Sequence, residues 1–328
     1  GGYASSVSAT VDAYSTSLIR STPTSLSLGR RILAATTVGS YALFGGGYAS
    51  SVSATVDAYS TSLTRSTPTA LSVARQSLAA TTVGNYALFG GGGGSTASSG
   101  SSVVDAYNTS LTRSTPTALS SVQRKELAAT TVGNYALFGG GGGSNADLSN
   151  VVDAYNTSLT RSTPTVLNRA RWDLAATTVG DYALFGGGYY SLTVDAYNTS
   201  LTKSTPTELS RWMNNLAATT VGDYALFGGF SVVNAYDTSL TRSIPTELSV
   251  SRTYHAATTV GNYALFGGGS DALSTVDAYY LNNQVQVYPG TKYKLGSMTQ
   301  EATSDSMQMI TTTAPITGYI KIKDATIN

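Results

Sequence analysis

The chain has no cysteine and a single histidine in 328 residues, which excludes disulfide staples and any thiolate or paired-histidine metal site. Charge is scarce as well. Nineteen Lys and Arg stand against 18 Asp and Glu, and a net charge of +1 leaves no broad basic field for nucleic acid or an acidic membrane surface. No apolar run approaches the roughly 20 residues that a membrane-spanning helix requires, and no signal peptide is recognisable. The i, i+3, i+4 apolar pattern of an amphipathic helix is missing throughout. Glycine, serine, threonine and tyrosine fill the space that these absences leave, and they fill it periodically.

Tyr-Ala-Leu-Phe-Gly-Gly occurs six times, starting at Tyr41, Tyr86, Tyr135, Tyr182, Tyr224 and Tyr263. A Val-(Asp/Asn)-Ala-Tyr string occurs seven times, starting at Val11, Val56, Val104, Val152, Val194, Val233 and Val276, so the period runs from 39 to 48 residues. Such a unit cannot bury its apolar side chains alone and must stack on its neighbours. Residues 1–14 repeat residues 46–59 without a change, so the sequence opens inside a repeat, as expected of a processed product or of a ring whose seam lies there.

One unit reads as four short strands. Ala79-Ala80-Thr81-Thr82-Val83, the turn pair Gly84-Asn85 and Tyr86-Ala87-Leu88-Phe89 form a tight hairpin. After a variable Gly/Ser loop, Val103 to Tyr107 alternates apolar and polar, Asn108-Thr109-Ser110 turns the chain, and Leu111 to Ser114 returns as a fourth strand. Pro116 cannot donate to a ladder, so the chain leaves the sheet there. Four antiparallel strands in about 45 residues point to an all-β propeller, in which radial closure protects the sheet edges. Arg75-x-x-Leu78-Ala79, the Gly90-Gly91 doublet and Tyr107 at its distance make the unit similar to the kelch repeat, a β-propeller family. The Trp usual in the fourth kelch strand is absent; Arg65, Arg113, Arg161, Lys203 and Arg242 stand close to that position.

Six units carry all four strands, and the first 24 residues add a seventh third-and-fourth-strand pair. The expectation is seven blades over residues 1–288, one of them shared between N- and C-terminal strands. Residues 289–328 then supply ring-closing strands, around Met307–Thr311 and Tyr319–Lys323, or form a small separate β module.

Two connections vary while the strands do not, and both emerge at one end of a four-stranded blade. Before each first strand stand Arg31-Ile32, Gln76-Ser77, Lys125-Glu126, Trp172-Asp173, Asn214-Asn215 and Thr253-Tyr254, and no two pairs agree. Both Trp and the one His fall in this segment, and aromatic, Arg and amide side chains are those enriched at recognition sites. The kelch resemblance implies that ligands bind on this face. The candidate site is therefore Arg31, Gln76, Lys125, Trp172, Asp173, Trp212, Asn214, Asn215, Tyr254 and His255. The recurring Arg30, Arg75, Arg124, Arg171 and Arg252, with Met213 in the fifth place, read either as a cationic ring for an anionic ligand or as bonds within each blade. Asp12, Asp57, Asp105, Asp153, Asp195 and Asp277 lack the spacing of a calcium loop, and the glycine runs lack the Lys-Ser/Thr of a phosphate loop. His255 has no partner for a metal or a triad.

The function expected is a non-catalytic adhesin or receptor-binding propeller, extracellular or on a virion, recognising glycan or protein on a cell surface without cofactor, metal, nucleic acid or membrane insertion. The alternatives are a structural spacer in a bacterial surface or phage tail assembly and, behind it, a glycan-processing enzyme.

Overall fold

In a computed structural model, the residues described are 2–3, 6–94, 100–121, 124–142, 148–270, 273–282, 285–287, 308–310 and 326–327. The chain divides into two compact units, Gly1–Ala278 and Tyr279–Asn328. The all-β expectation holds: six four-stranded antiparallel sheets follow one another as propeller blades. In the second blade Ala79–Val83 pairs with Tyr86–Gly90, which pairs with Val104–Asn108, whose outer neighbour is Arg113–Ser114. The same register recurs in the third, fourth and fifth blades.

Alternation along the second strand builds the blade interfaces. Ala87 and Phe89 pack on Leu43, Val56 and Ala58 of the first blade, while Leu88 points the other way, onto Ala136 and Phe138 of the third. Each inner strand is thus buried on both faces, which its small and β-branched residues permit. Glycine is required where the aromatic ring arrives: a Cβ on Gly90 would stand 2.6 Å from the Phe138 ring. Threonines lock the first strands together, Thr36, Thr81, Thr130, Thr177 and Thr219 each meeting a threonine hydroxyl of the following blade at 2.8 Å.

The blade count departs from the sequence expectation: among the described residues there are six, not seven. Ala13–Tyr14 pairs with Arg20–Ser21 in a two-stranded sheet, and among the described residues no C-terminal strand joins it. Gln308–Ile310 pairs instead with Val285–Val287, and Thr326–Ile327 with Leu281 and Asn282. Two strands with only the third- and fourth-strand sequence cannot complete a blade. The pair nevertheless occupies a blade position. Thr16 touches the Gly261 turn of the sixth blade as Thr157 touches Gly84, and Tyr59 of the first blade bonds the Thr24 carbonyl as Tyr107 bonds that of Thr69. The strand expected around Tyr319–Lys323 lies outside the described residues.

The recurring arginines serve the frame. Arg30, Arg75 and Arg171 are fully buried and meet Asp57, Asp105 and Asp195 at 2.8, 2.7 and 2.9 Å; Arg124 pairs with Asp153 and Arg252 with Asp277 in the same way. Each guanidinium also donates to the carbonyl of its blade's second-strand Phe, as Arg75 does to Phe89 at 3.0 Å. The Asp carboxylate in turn accepts a backbone N–H from the incoming linker, as from Ser72 and Ser120. In the fifth blade both members change together: Met213 stands for Arg and Asn234 for Asp, both fully buried, and Asn234 still accepts the Ser210 N–H.

Candidate ligand-binding face

The variable pair before each first strand splits into two positions with different directions. Its second residue, Ile32, Ser77, Glu126, Asp173, Asn215 or Tyr254, adopts the left-handed conformation, with φ between 50 and 57°. Ser77 N–H donates to the Ile32 carbonyl, Glu126 to Ser77, Asp173 to Glu126 and Tyr254 to Asn215, at 2.9 to 3.1 Å. Backbone hydrogen bonds therefore join neighbouring blades in two runs, Ile32 to Asp173 and Asn215 to Tyr254, and the six residues line one cavity of about 1100 Å3. The first residue of the pair is turned toward the loop between second and third strands, where Gln76 pairs with Gly93 and Lys125 with Gly142.

This geometry sorts the ten candidate residues. Arg31, Asp173, Asn215, Tyr254 and His255 line the cavity. Gln76, Lys125, Trp172, Trp212 and Asn214 do not, and the structure brings Trp172 and Trp212 into a different arrangement. Trp172 packs on Tyr189 with centroids 5.2 Å apart, Tyr189 on Tyr190 at 4.5 Å, Tyr190 on Trp212 at 5.4 Å and Trp212 on Phe230 at 5.7 Å. Arg211 lies over the Phe230 ring at 4.9 Å. Five aromatic rings thus run in one row across the loops of the fourth and fifth blades. Tyr190 and Trp212 are the most open, 59% and 41% exposed, whereas the indole N–H of Trp172 is buried and has no acceptor among the described residues.

Ile32, Ser77 and Glu126, outside the candidate set, line the cavity, and Tyr189, Tyr190 and Phe230 belong to the row. A signal existed for the tyrosines. Tyr189-Tyr190 replaces the Gly/Ser run found at this loop in the second and third blades.

Electrostatics distinguish the cavity from ordinary surface. Burial pushes the Asp173 carboxyl up to about 7, the nearby Glu126 carboxylate adds to the rise, and a hydrogen bond from Asn215 opposes it. Burial raises Glu126 also, with Lys125 opposing. Tyr254 rises through burial and then through the two carboxylates. His255 goes the other way, to about 4, because it is buried and Arg252 lies nearby. It stands where other blades have Leu, with its ring 5.8 Å from Phe266, and it is neutral at physiological pH. No group of three or more His, Asp or Glu suited to a metal ion occurs among the described residues.

No family model matches the chain, and no curated protein matches it in sequence. Among solved structures, one titled "Structure of YjhT" aligns with a TM-score of 0.62 and 12% identity, covering 77% of this chain and 96% of that one. At that identity the likeness concerns the propeller fold alone.

Proposed function

We propose that this chain is a kelch-like, non-catalytic recognition module that holds a glycan or protein ligand on the loop-bearing face, as an adhesin or receptor binder on a cell or virion surface. The observation that carries the reading is the aromatic row from Trp172 to Phe230. Flat apolar faces with the Arg211 guanidinium at one end suit the alternating apolar and hydroxyl-bearing sides of a sugar ring. Stacking area on rigid aromatic residues comes at low conformational-entropy cost. A glycan array with the full chain tests this, followed by Trp212→Ala and Tyr190→Ala. The expected result is a bound glycan whose affinity falls about tenfold or more with either substitution while the melting temperature holds. Unchanged affinity in both variants would remove the row from the site.

A second reading, a glycan-processing enzyme, is favoured by one observation. Asp173 and Glu126 are neighbouring carboxyl groups of raised pKa in one cavity, which is how acid and base roles are prepared. Turnover of an array-identified glycan that Asp173→Asn abolishes, without loss of binding, would favour it over the first.

A further inference from the structure

The linkers before the first strands carry their own comparison two residues ahead of the buried arginine, or of Met213 in its place. That position holds Leu28, Val73, Val122, Arg169, Arg211 and Val250 in chain order, so four blades have an aliphatic residue there and two have an arginine. Those two are the fourth and fifth blades, whose loops form the aromatic row. Packing does not select the change, because Leu28, Val73 and Val250 are exposed just as Arg169 and Arg211 are. The two cations therefore accompany the row and not the repeat.

Both arginines are held against the row. Arg169 donates from Nη1 to the Tyr190 carbonyl at 3.0 Å, and Arg211 lies over the Phe230 ring at 4.9 Å and the Trp212 ring at 6.0 Å. Neither contact exhausts the group. A guanidinium has five N–H donors in a planar fork, and one that is stacked on an aromatic face keeps its donor edge for an anion. Among the described residues, the ion pair of this part of the fourth blade belongs to the buried Arg171, with Asp195 at 2.9 Å, and not to Arg169. The attachment points, Tyr190 and Phe230, are two ring steps apart, 5.4 and 5.7 Å, with Trp212 between them. Positive charge is thus distributed along the most open part of the row.

We propose that the row takes a linear acidic polysaccharide, a chain whose sugars carry carboxylate or sulfate groups at repeated intervals. This rests on the reading that the row holds a glycan, and it names the class. The apolar sides of the sugar rings lie on Tyr190 and Trp212. Acid groups of different sugars meet Arg169 and Arg211, whose paired N–H donors match two oxygens of a carboxylate or a sulfate. With a net charge of +1 the protein exerts no general pull on polyanions, so the attraction is confined to this patch. A neutral chain meets the same rings and leaves both cations unmatched. An acidic peptide matches the cations and brings no sugar face for the rings.

The test measures binding of the full chain by calorimetry to two matched pairs. Polygalacturonate is compared with its fully methyl-esterified form, and dextran sulfate with plain dextran, so that each pair keeps the sugars and removes the charge. The expected result is that at least one charged chain binds about tenfold or more tighter than its neutral counterpart, and the pair that shows the difference identifies the acid group. Arg169→Gln and Arg211→Gln should each weaken that binding about tenfold, with the melting temperature unchanged. Arg20→Gln, at an exposed arginine of the Arg20–Ser21 strand, should leave it as it was. Equal binding of charged and neutral chains, indifference of either row variant, or an equal loss in Arg20→Gln overturns the proposal. Polyglutamate bound as tightly as the best acidic chain overturns it too, because charge alone then suffices. If the acidic chains fail while the array yields a neutral glycan that Trp212→Ala weakens, this proposal falls and the reading beneath it stands. If no glycan binds at all, both fall.

Discussion

At the residue scale the buried Arg–Asp pairs and the fifth blade's Met213–Asn234 form a comparison within one molecule. A buried ion pair gains little over neutral groups of similar volume, yet removing one partner strands the other charge. Asp153→Asn should therefore cost about 3 to 5 kcal/mol by denaturant unfolding, since Arg124 is left buried opposite a neutral amide. Arg124→Met added to it recreates the fifth-blade pair and should recover more than half of the loss. A double variant as unstable as the single one would mean that the Met–Asn pair depends on other features of its blade.

Two groups near the axis give stability opposite pH dependences. Asp173 has a folded pKa of about 7, above its ordinary value, so the native state holds more protons and stability falls as pH rises from about 4 to 7. His255, lowered to about 4, leaves the native state with fewer protons than the unfolded chain, so stability rises between pH 4 and about 6.5. Asp173→Asn should flatten the fall and His255→Leu the rise, measured as melting temperature against pH. His255→Leu also restores the residue of the other blades, and its stabilisation should be largest near pH 4. An unchanged profile in both variants would place the titrating groups elsewhere.

At the element scale, the strands were legible because each alternates small, β-branched and aromatic residues in a pattern repeated six times. Phe138 illustrates the physics: it is fully buried, packs edge-on against Tyr155 at 5.9 Å and sits over Gly90. Phe138→Ala should cost about 3 to 5 kcal/mol of unfolding free energy. A loss below about 1 kcal/mol would contradict the packing described. The axial residues were not legible. A left-handed backbone normally announces itself as Gly or Asn, but Ile32, Glu126 and Tyr254 carry no such signal. Without it, the two members of each variable pair could not be told apart, and Gln76 and Lys125 were grouped with Asp173. The aromatic row escaped for another reason. Tyr189 and Phe230 lie 17 and 18 residues from Trp172 and Trp212, in the other variable loop of their blades, and only the fold brings the two loops together.

At the scale of the whole molecule, blade number was the least legible feature, because counting strand sequences does not say which strands pair. Val11 to Tyr14 reads like any third strand, and Gln308–Ile310, one of the expected closing strands, pairs with Val285–Val287. In a quasi-one-dimensional stack, stability depends on having a neighbour on each side. Hydrogen exchange should accordingly be graded around the ring, with Ala256–Val260 exchanging about tenfold or more faster than Ala128–Val132. Uniform protection would mean that the sixth blade is covered on its open side.

The chain of left-handed residues on the axis has one consequence of a different kind. Four of its steps between blades are bonds from a main-chain N–H to a main-chain carbonyl, and those bonds ask for no particular side chain. Isoleucine, serine, glutamate, aspartate, asparagine and tyrosine already occupy equivalent places in a single molecule. The axis therefore behaves as a ready-made library scaffold. Its recognition chemistry can be rewritten at six addresses, by natural variation or at the bench, with Glu126, Asp173, Asn215 and Tyr254 changing as an interacting group.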